Sequence, residues 1–156
     1  MRVRIAIATA LLFGSVPVIA GAQAHEKKIK KSDLPPAVVK TVDEQSKGAT
    51  LRGFSREREG GWTYYEAQMT VNGRSRDVLM DAKGKVVEVE EEVDLAALPP
   101  AVRSALQEKA GAGTIHKVES ITKENKMVAY EAQVVTAGKK SVVQVGPSGE
   151  ALEHPE

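Results

Sequence analysis

The chain has 156 residues, no cysteine, and a formal net charge of +1 from 22 basic and 21 acidic residues. Without cysteine, disulfides, thiolate chemistry and a cysteine-linked lipid anchor are excluded. The near balance of charge argues against a nucleic-acid-binding protein, which would carry a basic surface and a high pI.

Residues 1–24 are predicted to be a secretory signal peptide. Arg2 and Arg4 precede an uncharged apolar stretch, and Ala22-Gln23-Ala24 supplies the small-x-small cleavage pattern. The apolar stretch, about 16 residues long, is short for a membrane-spanning helix. We therefore expect cleavage, no stable membrane insertion afterwards, and a periplasmic or secreted protein. Cleavage removes two of the 22 basic residues, leaving 20 against 21 acidic ones and a net charge of −1.

Residues 25–32 contain four lysines and are interpreted as a flexible basic N-terminal arm. The rest of the chain divides into two similar segments, 33–93 and 94–156. Leu34-Pro35-Pro36-Ala37-Val38 returns as Leu98-Pro99-Pro100-Ala101-Val102, and Tyr65-Glu66-Ala67-Gln68 returns as Tyr130-Glu131-Ala132-Gln133. Such self-similarity indicates an internal repeat.

Each segment is predicted to begin with a helix, because a proline pair suits a first turn and apolar residues follow it at helical spacing. Gly48 and Gly111 are predicted to follow the two helix ends. In the first segment we expect strands at 50–57, 62–71, 75–81 and 85–93, with Asn72-Gly73 as a hairpin turn.

The predicted fold class is therefore α+β, with two tandem units. Each unit is one helix packed on a four-stranded antiparallel β-meander, and whether the two sheets join into a continuous sheet is left open. Because side chains alternate across a strand, Tyr65, Ala67 and Met69 are expected to face the helix. Trp62, Tyr64 and Glu66 then belong to the opposite, open sheet face.

The order of a Leu-Pro-x-Ala-Val helix start, a Tyr-Glu strand and a final strand after Asp81-Ala82-Lys83-Gly84 resembles the PepSY-like family. The closer resemblance is to the branch grouped with β-lactamase-inhibitor-like proteins, and it covers nearly all of residues 34–153. It implies an exported bacterial protein without enzymatic activity, whose sheet presents a binding surface to a protein partner such as a hydrolase.

Five residues are the candidates for partner binding on the sheet: Trp62, Tyr64, Glu66, Arg74 and Arg76. An exposed aromatic pair is typical of a binding hot spot, and the arginines with Glu66 could form a polar rim. The alternative is that Trp62 covers the edge of a small core and that the charges form a solvated strand face.

Glu88, Glu90 and Glu92 alternate with valines, which places three carboxylates on one side of a strand. We interpret them as an exposed stripe that keeps the strand soluble, with a divalent-cation site as the sharper alternative. His25, His116 and His154 lack the paired spacing of metal sites. We expect no catalytic residues, cofactor or metal, although copper binding by an N-terminal His25 is left open.

Two functions follow as hypotheses. The first is an exported, non-enzymatic binding or inhibitory module that recognises another envelope or secreted protein through the open sheet face. The second is a sensor or carrier of the bacterial envelope for a small ligand or a metal.

Overall fold

The computed structural model describes residues 26–156; the predicted signal peptide and His25 lie outside them. Eight strands form one antiparallel sheet whose spatial order follows the chain from β1 to β8. The strands are β1 (Lys27–Ile29), β2 (Thr50–Glu59), β3 (Trp62–Val71), β4 (Arg74–Asp81), β5 (Val86–Val93), β6 (Thr114–Lys123), β7 (Lys126–Thr136) and β8 (Lys139–Val145). Helix α1 (Pro36–Gln45) precedes β2, and helix α2 (Pro100–Ala110) precedes β6.

Both helices begin at the second proline of their proline pair, where the fixed φ suits a first turn and no backbone donor is lost. Gly48 and Gly111, which follow the two helix ends, have positive φ angles, as predicted for helix stop signals. Within residues 26–156, neither helix is long and apolar enough to cross a bilayer.

The two helices pack on the same face of the sheet. Val89 packs in the core under α1 and Val93 in the core under α2, and these two residues lie four apart on β5, so their side chains share a face. As predicted, Ala67 and Met69 are buried on this face. The fully buried valines and leucine of the helices, Val38, Val42, Val102 and Leu106, complete the core.

Two glycines allow the helices to approach the sheet connections closely. A Cβ on Gly84 would lie 2.5 Å from the Ala37 carbonyl oxygen, and a Cβ on Gly149 would lie 2.8 Å from the Ala101 carbonyl oxygen. Both glycines also have φ in the left-handed region. The Thr41 hydroxyl donates to the Gly84 carbonyl at 2.7 Å, which fixes α1 against the β4–β5 turn.

The prediction of two tandem units, each with a helix and four strands, is wrong. β5 pairs directly with β6 over Glu88–Val93 and Val118–Lys123, so the sheet is continuous across the predicted segment boundary. The second segment contains three strands, because residues 150–156 form no strand. That stretch lacks a clear apolar alternation, and Pro155 has no backbone donor.

The predicted flexible arm also differs from the structure. Lys27–Ile29 form edge strand β1, which pairs antiparallel with β2. Ile29 lies opposite Phe54, and both pack on the α1 core, so burial of an apolar side chain orders this basic segment.

Candidate functional site: the acidic sheet face

The sheet face opposite the helices is lined with carboxyl groups. Cross-strand partners share a face, and here Ser55 lies opposite Glu66, Asp77 opposite Glu90, and Glu119 opposite Glu131. We call this surface the acidic face; its acidic residues are Glu57, Glu59, Glu66, Asp77, Glu88, Glu90, Glu92, Glu119 and Glu131. Within residues 26–156, every buried polar or charged residue lies on it.

An apolar floor lies beneath the carboxyl groups. Tyr64 is 6% exposed and Leu79 is 5% exposed, and the two form a cluster with the partly buried Val87. Because this floor excludes water from one side of the glutamate stems, the acidic groups above it are desolvated although no helix covers them.

Lysines and an amide contact carboxylates on the half of the acidic face that lies over β5 to β8. Lys117 Nζ lies 2.6 Å from Glu119 Oε1, and Lys123 Nζ lies 3.5 Å from Glu88 Oε2. Gln144 Nε2 donates to Glu131 Oε2 at 2.7 Å. These contacts give the buried carboxylates of this half a charge or hydrogen-bond partner.

The half over β2 and β3 is different, because none of the ion pairs within residues 26–156 includes Glu57 or Glu66. Glu66 accepts a hydrogen bond from Gln68 Nε2 at 2.7 Å. Burial, reinforced by neighbouring carboxylates, raises the pKa of Glu57 to about 7 and the pKa of Glu66 to about 8. The Glu66 side chain partly opposes this rise in the pKa of Glu57.

Four buried side-chain oxygens of the described chain have no hydrogen-bond partner, and all four lie on the acidic face. They are Ser55 Oγ, Glu57 Oε2, Glu59 Oε2 and Glu88 Oε2. Of these, Glu88 Oε2 has Lys123 within ion-pair distance. Buried oxygens without donors are costly, so the others mark places where a ligand that donates hydrogen bonds would be stabilised.

Asp77, Glu90 and Glu119 form a second cluster, the carboxylate triad, with one oxygen from each residue within 4.8 Å of the others. Burial and nearby carboxylates raise the pKa of Glu90 to about 9. Burial also raises the pKa of Asp77, to about 6, against the opposing charge of Lys117. Carboxylate oxygens suit hard divalent cations, so these three residues could hold one if the protons were displaced.

Large apolar side chains are also exposed on the acidic face. Trp62 is 60% exposed at the start of β3, where it lies opposite Glu59. Val142, on β8 opposite Gln133, is 50% exposed. Among the described residues these are the exposed large hydrophobic side chains, and both lie on the face that the helices leave uncovered.

The structure divides the five predicted binding residues between the two faces. Trp62, Tyr64 and Glu66 share the acidic face, as alternation along β3 predicts. Tyr64, however, is buried, so the prediction of an exposed aromatic pair is wrong; its ring belongs to the apolar floor.

Arg74 and Arg76 lie on the helix side of the sheet, away from Trp62 and Glu66. Arg74 lies opposite Val71, which packs on the α1 core. Arg76 Nη2 donates to Gln45 Oε1 at 2.8 Å, and its Nε lies 2.9 Å from Glu91 Oε1. Arg76 therefore ties α1 to β5 instead of forming a rim around Glu66.

The interpretation of Glu88, Glu90 and Glu92 as an exposed stripe is also wrong. Glu88 is 5% exposed, and Glu92 accepts hydrogen bonds from the backbone and hydroxyl of Ser75. Sequence reasoning did not single out Glu57, Asp77, Glu119 or Glu131 at all. The alternation of side chains along a strand could have identified them, because Glu57 and Glu131 alternate with residues of the helix face on their own strands.

His116 and His154 are exposed, and neither belongs to the carboxylate triad. Asp81 accepts hydrogen bonds from the backbone of Lys83 and Lys85. These bonds stabilise the β4–β5 turn, so Asp81 has a structural role there.

Solved bacterial proteins share this fold. A BLIP-like protein of Bacteroides fragilis aligns with a TM-score of 0.56 and 24% sequence identity, over 77% of this chain and 84% of that chain. A Bacteroides eggerthii protein predicted to be periplasmic gives a TM-score of 0.62 at 20% identity, over 77% of this chain and 86% of that one. A DUF2874 family protein of Bacteroides ovatus gives 0.58 at 21% identity, over 78% and 86%.

No protein-family model and no curated protein matches the sequence. The likeness to the BLIP-like protein shows that the two chains share a fold. The PepSY-like assignment stays a prediction.

Proposed function

We propose that this protein is an exported, non-enzymatic module of the bacterial periplasm that docks its acidic face on another envelope or secreted protein. The observation that carries the proposal is the coincidence, on one uncovered face, of buried oxygens without donors and of exposed Trp62 and Val142. A complementary protein surface would supply hydrogen-bond partners to the unsatisfied oxygens and would remove the exposed apolar side chains from water.

The fold likeness to the BLIP-like protein adds support for a binding role, and the predicted signal peptide supports export. A basic partner surface fits best, because cationic groups favour the ionised form of the carboxyls on the acidic face. A secreted or envelope hydrolase with a basic surface is one class of partner that fits this description.

Capture of partners from an envelope extract tests the proposal with matched variants. Immobilised wild-type protein is compared with Trp62→Ala and Val142→Asp on the acidic face, and with Lys40→Ala on the outer side of α1. We expect a partner that wild type and Lys40→Ala retain and that both face variants lose. Retention of every captured protein by all four proteins would contradict docking through this face.

A second candidate function, sensing or carrying a divalent cation, is favoured by the carboxylate triad. Native mass spectrometry with added CaCl2 distinguishes it. A cation carrier would bind one ion per chain and lose it in Glu90→Gln, whereas a protein-binding module would show no stoichiometric uptake.

A further inference from the structure

The acidic face contains one place where buried carboxyls, an unpartnered hydroxyl and an exposed aromatic ring come together. On β2 and β3, Glu66 lies opposite Ser55, and Tyr64 lies opposite Glu57. Trp62 lies opposite Glu59 and diagonal to Glu57. Diagonal neighbours on one sheet face are within reach of an aromatic side chain, so Trp62 can reach Glu57 at one end of the Glu57–Glu66 pair.

Two buried oxygens of this place have no hydrogen-bond partner. Ser55 is 1% exposed and its Oγ has no hydrogen-bond partner; Glu57 is 5% exposed and its Oε2 has none. Lys28 lies opposite Ser55 on β1, but it is exposed and belongs to none of the ion pairs within residues 26–156. The chain therefore supplies acceptors here without the cation that buried carboxylates ordinarily have.

These acceptors define the chemistry of a ligand that would bind here. It must donate several hydrogen bonds, carry positive charge and tolerate partial desolvation beside an indole. A guanidinium group meets all three conditions: it is planar, has five N–H donors, is weakly hydrated and stacks on aromatic rings. An ammonium group is more strongly hydrated and less suited to the indole face.

We propose that an arginine side chain of the protein partner binds between Glu57 and Glu66, donating to their carboxylates and to Ser55 Oγ while packing against Trp62. The inference rests on the proposed function, because it names the group by which a docked partner would be recognised. A second arginine-binding place on the face is not required, since Glu88 and Glu119 already have lysine partners.

A divalent cation is the competing occupant. Hard cations prefer six or more oxygen ligands and gain nothing from an indole. The carboxylate triad offers the closer grouping of oxygens for such an ion, and it lies over β4 to β6. Occupation of the Glu57–Glu66 pair by metal is therefore an outcome that the experiment must separate from guanidinium binding.

The test uses blocked tripeptides. Acetyl-Gly-Arg-Gly-amide is titrated against acetyl-Gly-citrulline-Gly-amide, in which a neutral urea replaces the guanidinium at nearly the same shape. Trp62 is the single tryptophan of the chain, so its fluorescence reports directly on this place. ¹H–¹⁵N NMR then locates the response on β2 and β3.

We expect a saturable fluorescence change with the arginine peptide alone. A bound guanidinium favours the ionised form of both carboxyls. Glu57→Gln and Glu66→Gln cannot ionise, so with the titration run at about pH 9, where the free carboxyls are ionised as well, each should weaken binding by about tenfold or more. Glu108→Gln, an exposed glutamate on α2, should leave binding unchanged.

Equal binding of the citrulline peptide would overturn the inference, as would unchanged affinity in both glutamine variants. A fluorescence response to CaCl2 that the arginine peptide cannot compete away would assign the place to a metal ion. If any of these contrary results occurs while partner capture still depends on Trp62 and Val142, the docking function stands and only the arginine assignment fails. If partner capture does not depend on Trp62 and Val142 either, both the docking function and the arginine assignment fail.

Discussion

Replacing Glu66 by glutamine should make the protein more stable at alkaline pH. Glu66 is partly buried, takes part in no ion pair within the described chain, and has a pKa of about 8 in place of 4.5. Glutamine keeps the carbonyl oxygen that accepts from Gln68. The variant therefore imitates the protonated side chain and cannot ionise.

The sign follows from proton linkage. A folded-state pKa raised above the unfolded value means that the folded protein holds the proton more tightly, so wild-type stability is greatest below the unfolded pKa and falls as pH rises towards 8. At about 1.4 kcal/mol for each pKa unit, the full loss approaches 5 kcal/mol. Because Glu66 keeps some contact with water, we expect about 3 kcal/mol of this to be observed.

Urea unfolding of wild type and Glu66→Gln between about pH 4 and about pH 9 measures the effect. The difference in free energy of unfolding should be near zero at the acid end and reach about 3 kcal/mol in favour of the variant at the alkaline end. Glu108→Gln, matched in chemistry but exposed, should differ from wild type by less than about 0.5 kcal/mol at every pH. A pH-independent difference for Glu66→Gln, or one that shrinks as pH rises, would refute the assignment of Glu66 as a desolvated carboxyl without a cation.

The packing also predicts how other substitutions change the stability of the protein. Gly84→Ala should cost about 3 kcal/mol by thermal unfolding, because its Cβ would meet the α1 backbone, whereas Gly48→Ala, also at positive φ but in open space, should cost only about 1 kcal/mol; equal losses would contradict the close approach. Val78→Ala, at a fully buried position under α1, should lower the free energy of unfolding by about 2–3 kcal/mol, and a change below about 0.5 kcal/mol would place it outside the core. Lys117→Met should destabilise the protein by about 3 kcal/mol by leaving buried Glu119 without its cation, and a change below about 0.5 kcal/mol would contradict the ion pair.

Local chemistry explains why the strand limits of the first segment were predictable. Asn72 and Gly73 both adopt positive φ in the β3–β4 turn, as the Asn-Gly pair predicts. The predicted strand 62–71 matches β3, and the predicted 75–81 differs from β4 by one residue. Helix starts were predictable for the same reason, since proline pairs act on their own residues.

The features of the fold that the sequence did not predict depend on pairing between distant parts of the chain. Strand β1 forms because Ile29 reaches the α1 core, and the single sheet forms because β5 pairs with β6; neither is visible in a local window. Residue similarity between the two segments favoured equal strand numbers, although residues 150–156 lack the alternation that a strand needs.

Part of the site was predictable and part was not. Alternation placed Trp62 and Glu66 on the same face, and the same rule applied from Val78 assigns Arg76 to the helix side, because the two are two residues apart on β4. Burial of Tyr64 could not be foreseen, since it depends on Leu79 from the neighbouring strand and Val87 from the next. The carboxylate triad likewise requires the register of three strands.

Site-specific photo-cross-linking in the native host tests the docking role of the acidic face most directly. A photoreactive phenylalanine analogue is placed at position 62 or 142 on this face, and at position 40 or 108 on the outer surfaces of the helices. We predict a discrete cross-linked partner from positions 62 and 142 and none from the helix positions. Adducts that form from the helix positions while 62 and 142 stay silent would contradict the proposed docking surface.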